Sequence, residues 1–163
     1  MVDAMSVTVP IGSDHQLARL LQVGLVLEEV VEARSAKHAR DTTGLDPEVR
    51  AMLDEAAEES ADHRRRLESL VDELDAETIP FEEVERLVES RYEADDDFDG
   101  VLYDQLCNEE TAYKFYDDLV GAIEESDVSF GIDRDRLLET LAAIREEEAE
   151  GVRDVTKLME NRQ

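Results

Sequence analysis

Four side chains able to hold a metal ion recur midway along apolar stripes of this chain: Glu28, His63, Glu109 and Glu148. Carboxylate and imidazole donors suit iron, manganese or zinc, and ligand type alone does not choose among these ions. An ionised carboxylate buried without a partner is very costly, so three of them aimed at one core require a compensating charge. A cation is the simplest one. Four such ligands suit a single ion better than a symmetric pair.

The elements that would position these residues are four long amphipathic helices. At about 100° per residue, Glu28 falls within the arc of Leu17, Leu20, Leu21, Gly24, Leu27 and Val31, whereas Glu29 falls outside it. His63 lies near the centre of the stripe Met52, Leu53, Ala56, Leu67, Leu70. Glu109 lies among Leu102, Leu106, Tyr113, Tyr116 and Val120. Glu148 is central to Leu141, Ile144, Val152, Val155 and Met159.

Local punctuation predicts helices near 14–40, 47–74, 98–126 and 133–160. Ser13 with Gln16 reads as a capping box, and Gly44 follows the first helix. Asp46-Pro47 is an N-cap with proline in the first turn, and Asp133 opens the fourth helix. Between the second and third helices, Ile79-Pro80 precedes a short amphipathic segment of Phe81, Val84, Leu87 and Val88, and Asp95-Asp96-Asp97 forms a solvated break. Short, long and short connections predict an all-α antiparallel four-helix bundle whose long crossover contains a short helix. Residues 1–12 read as an N-terminal extension and 13–163 as a single domain. The four ligands lie about 15, 16, 11 and 15 residues into their helices, all near mid-length at 1.5 Å per residue. Antiparallel packing would therefore bring them into one layer.

Composition narrows the partners. The chain has 163 residues with 44 acidic against 17 basic side chains, a net charge of −27. Such a surface repels nucleic acid and anionic membrane. Acidic residues crowd the expected outer faces while lysine is confined to Lys37, Lys114 and Lys157. This resembles cytoplasmic proteins of organisms that keep molar salt inside the cell, as halophilic archaea do, where the Debye length falls to roughly 3 Å at 1 M. One cysteine, Cys107, excludes an internal disulfide and fits a reducing compartment. No apolar run reaches the length of a membrane span, and MVDAMSVTVPIG lacks the basic and apolar regions of a secretory signal. A cytoplasmic location and a homodimer are the expectations.

The segment Glu109-Glu110-Thr111-Ala112-Tyr113-Lys114-Phe115-Tyr116-Asp117-Asp118-Leu119 resembles the pattern E-x-x-A-x-x-F-Y-x-x-L of the ferritin-like, rubrerythrin-like superfamily of diiron carboxylate proteins. Ile144 to Val152 is similar to that family's last-helix motif, and Ala57 to His63 to its second-helix motif. The resemblance covers about residues 14–160. It implies a ferritin-like bundle with Glu28, His63, Glu109 and Glu148 as ligands, and Tyr113, Tyr116 and Ser60 around them. It also implies chemistry such as iron or manganese oxidation, peroxide defence or metal buffering. In the family two helices each carry Glu-x-x-His. Here those positions read Ser60-Ala61-Asp62-His63 and Glu148-Ala149-Glu150-Gly151, so each keeps one half. Glu59, one turn from His63, is a candidate replacement at the edge of the stripe. A rubrerythrin proper would add paired C-x-x-C motifs, which one cysteine cannot supply.

The alternative is a bundle that has lost its site and serves as a scaffold or interaction protein. His63 would then pair with Glu109 or Glu28, and Arg34 would neutralise Glu148. On either account Tyr113 and Tyr116 read first as core residues, Glu147 and Glu150 as outward-pointing, and His38 as hydrated near the bundle end.

Overall fold

A computed structural model describes residues 11–74, 76–78, 80, 82–83, 86 and 100–161. Among these, the chain forms four long helices and no strand: α1 (Asp14–Asp41), α2 (Pro47–Glu73), α3 (Val101–Glu125) and α4 (Arg134–Glu160). The expected short crossover helix lies largely outside the described residues. No helix among the described residues is long and apolar enough to cross a membrane.

The helix ends follow local chemistry. Ser13 caps α1 by accepting from the Gln16 amide, and Asp46 and Asp133 cap α2 and α4 by accepting from Glu48 and Asp135. The capping box is displaced by one residue, because the Gln16 side chain accepts from the Gly12 amide and not from that of Ser13. Helix α3 begins at residue 101, three residues later than its predicted start. Its N-cap is Gly100 at φ +131°, a backbone state that disfavours any side chain.

The helices pack in two pairs, α1 against α2 and α3 against α4, and the pairs meet along α1–α3 and α2–α4. Hydrogen bonds at the helix ends give the directions. Arg50 of α2 donates to the Ala39 carbonyl near the end of α1, and Arg134 of α4 donates to the Ile123 carbonyl near the end of α3. Ser126 after α3 donates to the Ile11 carbonyl before α1, and Arg136 of α4 pairs with Glu73 of α2. Every packed pair is therefore antiparallel, and α2 and α3 run the same way. This is compatible with a four-helix bundle having one long crossover.

The core is mostly aliphatic, with Leu17, Leu21, Leu27, Leu67, Leu119, Ile123, Leu141 and Ile144 buried together, and Phe115 and Tyr116 in edge-to-face contact at 5.3 Å. Gly24 lets the Phe115 ring approach the α1 backbone, since a Cβ there would lie 3.1 Å from the ring. Ile11, within the expected extension, is buried in this core.

Helix α3 is rotated from its predicted stripe. Tyr113 is 36% exposed, and Leu102 and Leu106 are only half-buried. The inward face instead carries Asp104, Gln105, Asn108, Glu109, Ala112, Phe115, Tyr116 and Leu119. The physical reason is that Asp104, Gln105 and Glu109 find partners inside, so they need not face water.

Candidate metal centre

Glu28, His63, Glu109 and Glu148 stand on four different helices and are 0%, 0%, 5% and 2% exposed. His63 Nδ1 lies 3.1 Å from Glu28 Oε2 and 3.0 Å from Glu148 Oε1. One ligand atom from each of these three residues falls within 4.8 Å of the others, a spacing a single ion can bridge. Glu109 joins the group through a hydrogen bond with Glu148. Two carboxyl groups bond only if one holds a proton.

The electrostatics express crowding. Burial, then the charges of Glu28 and Glu109, push the Glu148 carboxyl well above the usual carboxylate range. Burial also raises Glu109, as does Glu28, against the opposing hydrogen bonds from Glu148 and Gln105. Burial alone would lower His63, but the hydrogen bond and charge of Glu28, helped by Glu59 and Glu147, raise it. Glu28 Oε1 is buried and has no hydrogen-bond partner. A carboxylate oxygen left bare beside two further carboxylates and an imidazole nitrogen is a donor set a cation fits.

The surrounding side chains hold these groups in place. The Tyr116 hydroxyl donates to Glu28 Oε2 at 2.6 Å, and the Gln105 amide donates to Glu109 Oε1 at 2.8 Å. Ser35 in turn donates to Gln105 Oε1 at 2.8 Å. On the other edge of the imidazole, His63 Nε2 lies 3.5 Å from Glu147 Oε1 and 3.8 Å from Glu59 Oε1. Arg66 grips Glu147 with two hydrogen bonds of 2.8 and 3.2 Å. Burial raises the Glu59 carboxyl to about 7, with Glu109 and Glu147 adding to the rise and His63 opposing it.

Several expectations need correction. Tyr113 faces outward and does not reach the centre. Glu147 does not point away, because Arg66 draws it across α2 toward His63. Glu59 sits on the Nε2 side of His63, away from the Glu28 and Glu148 oxygens that flank Nδ1, and there Glu59, His63 and Glu147 form a second group of ligand atoms within 4.8 Å of one another. Ser60 itself is buried on α2, one turn before His63. Arg34 reaches Asp104 at 3.6 Å and not Glu148. His38 is not merely hydrated, since its Nε2 bonds to Asp104 Oδ2 at 2.6 Å.

Gln105, Arg66 and Glu147 were missed as supporting residues. The spacing of Gln105 to Glu109, one helical turn, was a usable signal for the first. Comparison with protein-family models, with curated proteins and with solved structures finds no match for this chain.

Proposed function

We propose that this chain is a metal-binding protein of ferritin-like, rubrerythrin-like type that holds one divalent ion, iron, manganese or zinc, in a reduced carboxylate and histidine site. The observation that carries this reading is the convergence of Glu28, His63 and Glu148 within 4.8 Å in the interior, with Glu109 hydrogen-bonded to Glu148. Glu28, His63 Nδ1 and Glu148 would be the ligands, with Glu109 beside them as the fourth. A redox ion in that place would supply electron exchange with oxygen or peroxide, and a redox-inert ion would make the site a store or buffer.

The chain's own residues prepare such a site. Histidine ligands commonly present one nitrogen to the metal and the other to a carboxylate, which fixes the tautomer. His63 is placed that way, with Nδ1 among the buried acids and Nε2 toward Glu147, itself held by Arg66. Tyr116 orients Glu28, and Gln105 orients Glu109. The aliphatic core around them lowers the local dielectric and strengthens every charge interaction inside. We further propose a cytoplasmic homodimer working in concentrated salt, in keeping with the surface charge and the single cysteine.

One observation favours a metal-free scaffold instead. His63 Nδ1 lies within hydrogen-bond distance of both Glu28 and Glu148, as a protonated imidazole would between two acids. Metal analysis of protein purified without chelator separates the two readings. The metal reading expects about one ion per chain, lost in Glu148→Gln and in His63→Ala. It expects no loss in Glu150→Gln, whose side chain is exposed. Metal-free protein that Glu148→Leu stabilises would refute it, because removing a buried carboxyl crowded against Glu28 and Glu109 is then a gain.

A further inference from the structure

The centre is closed toward α1 and α3 by Tyr116 and by the chain from Ser35 through Gln105 to Glu109. Toward α2 and α4 a small cavity reaches Glu109. Residue 151 of α4 is glycine, and a Cβ there would lie 2.8 Å from Glu109 Cδ and closer still to Oε2. The missing side chain therefore lets the Glu109 carboxylate pack directly against the α4 backbone.

Beside this contact lies a cavity of about 30 Å³ between α2 and α4, whose lining includes Glu55, Ala56, Glu59, Glu109, Gly151 and Asp154. Glu55 and Asp154 are exposed, Glu59 is half-buried and Glu109 is buried. Carboxylates thus continue from solvent to the interior, and no basic side chain lines the passage. His63, fully buried, points its Nε2 toward Glu59 at 3.8 Å and makes no hydrogen bond there.

We propose that this crevice over Gly151 is the route by which a divalent cation reaches the buried carboxylates. The proposal rests on the metal-binding reading above. Acidic walls attract cations and repel anions, which raises the local cation concentration at the mouth. The cavity holds about one water molecule, so a cation passes by exchanging most of its hydration shell for carboxylate oxygens. Magnesium dehydrates reluctantly and is disfavoured by the same narrowness.

The test follows uptake of cobalt(II) by the full chain, read in stopped flow from its visible absorption, with equilibrium binding measured separately. Ala56→Leu narrows the crevice from its α2 wall and is expected to slow uptake about tenfold, with cobalt bound at saturation unchanged. Glu55→Gln with Asp154→Asn alters only exposed residues and guards against a packing defect in the first variant. It is expected to slow uptake about threefold in about 0.5 M KCl, with a smaller effect as salt rises. Glu146→Gln with Glu150→Gln, exposed on α4 away from the crevice, should leave the rate unchanged. Wild-type uptake rates in both crevice variants would overturn the route and leave the metal site standing. Absence of cobalt binding by the unmodified chain would overturn the site and the route together.

Discussion

Tyr116 donates its phenolic hydrogen to Glu28 Oε2 across 2.6 Å, and both residues are 0% exposed. Burial first, then the charges of Glu28 and Glu148, hold the phenol protonated far above its ordinary range, so it remains a donor at any working pH. Tyr116→Phe removes that donor and leaves a buried carboxylate short of a partner. The variant should lose about 1–3 kcal/mol in denaturant unfolding of the chelator-treated protein. An unchanged midpoint would mean that Glu28 does not depend on this bond.

Alanine usually stabilises a helical glycine position that has room for a methyl by about 1 kcal/mol. Gly121→Ala in α3 should show that gain, because nothing lies within 4 Å of the added methyl. Gly151→Ala should do the opposite, losing about 1–3 kcal/mol as Glu109 is driven from its position. Opposite signs for the two glycines in thermal unfolding are the check. Equal gains would show that Glu109 yields freely.

Protonation gives the metal-free protein an unusual pH profile. Glu59, Glu109 and Glu148 all have folded values above their unfolded ones, so the native state binds more protons than the unfolded state. Stability therefore falls as pH rises, and for Glu59 the window runs from about 4.5 to about 7. His63, also raised, stabilises fully below 6.5 and loses its contribution above that. Chelator-treated protein in high salt should unfold at a lower temperature at pH 8 than at pH 6. Added metal should reverse the trend, because its ligands must be deprotonated to bind. A flat profile without metal would contradict the raised values.

Net charge of −27 makes salt a structural component. Unscreened repulsion favours expansion, so the thermal midpoint should fall on dilution from molar KCl to about 0.1 M. A midpoint that holds or rises on dilution would remove the support for a high-salt origin.

The sequence by itself determined the helices and the depth of the four candidate ligands. Capping side chains and prolines act within a few residues, and hydrophobic period acts within a few turns, so both are legible in one dimension. That is why Asp46, Asp133 and Ser13 mark their helix starts, and why Glu28, His63 and Glu148 were separable from Glu29 and Glu150. Tertiary structure alone decided which polar residues of α3 turn inward. Periodicity places apolar residues, but a buried Asp104 or Gln105 depends on partners supplied by other helices. His38 and Arg34 on α1 meet Asp104, and Ser35 meets Gln105, each across about 70 residues of chain. For the same reason Glu147 could not be read from its own helix, since its place beside His63 depends on Arg66 reaching over from α2. Gly151 stands in the sequence where the family motif has a histidine, but its consequence for Glu109 exists only once α3 and α4 lie side by side.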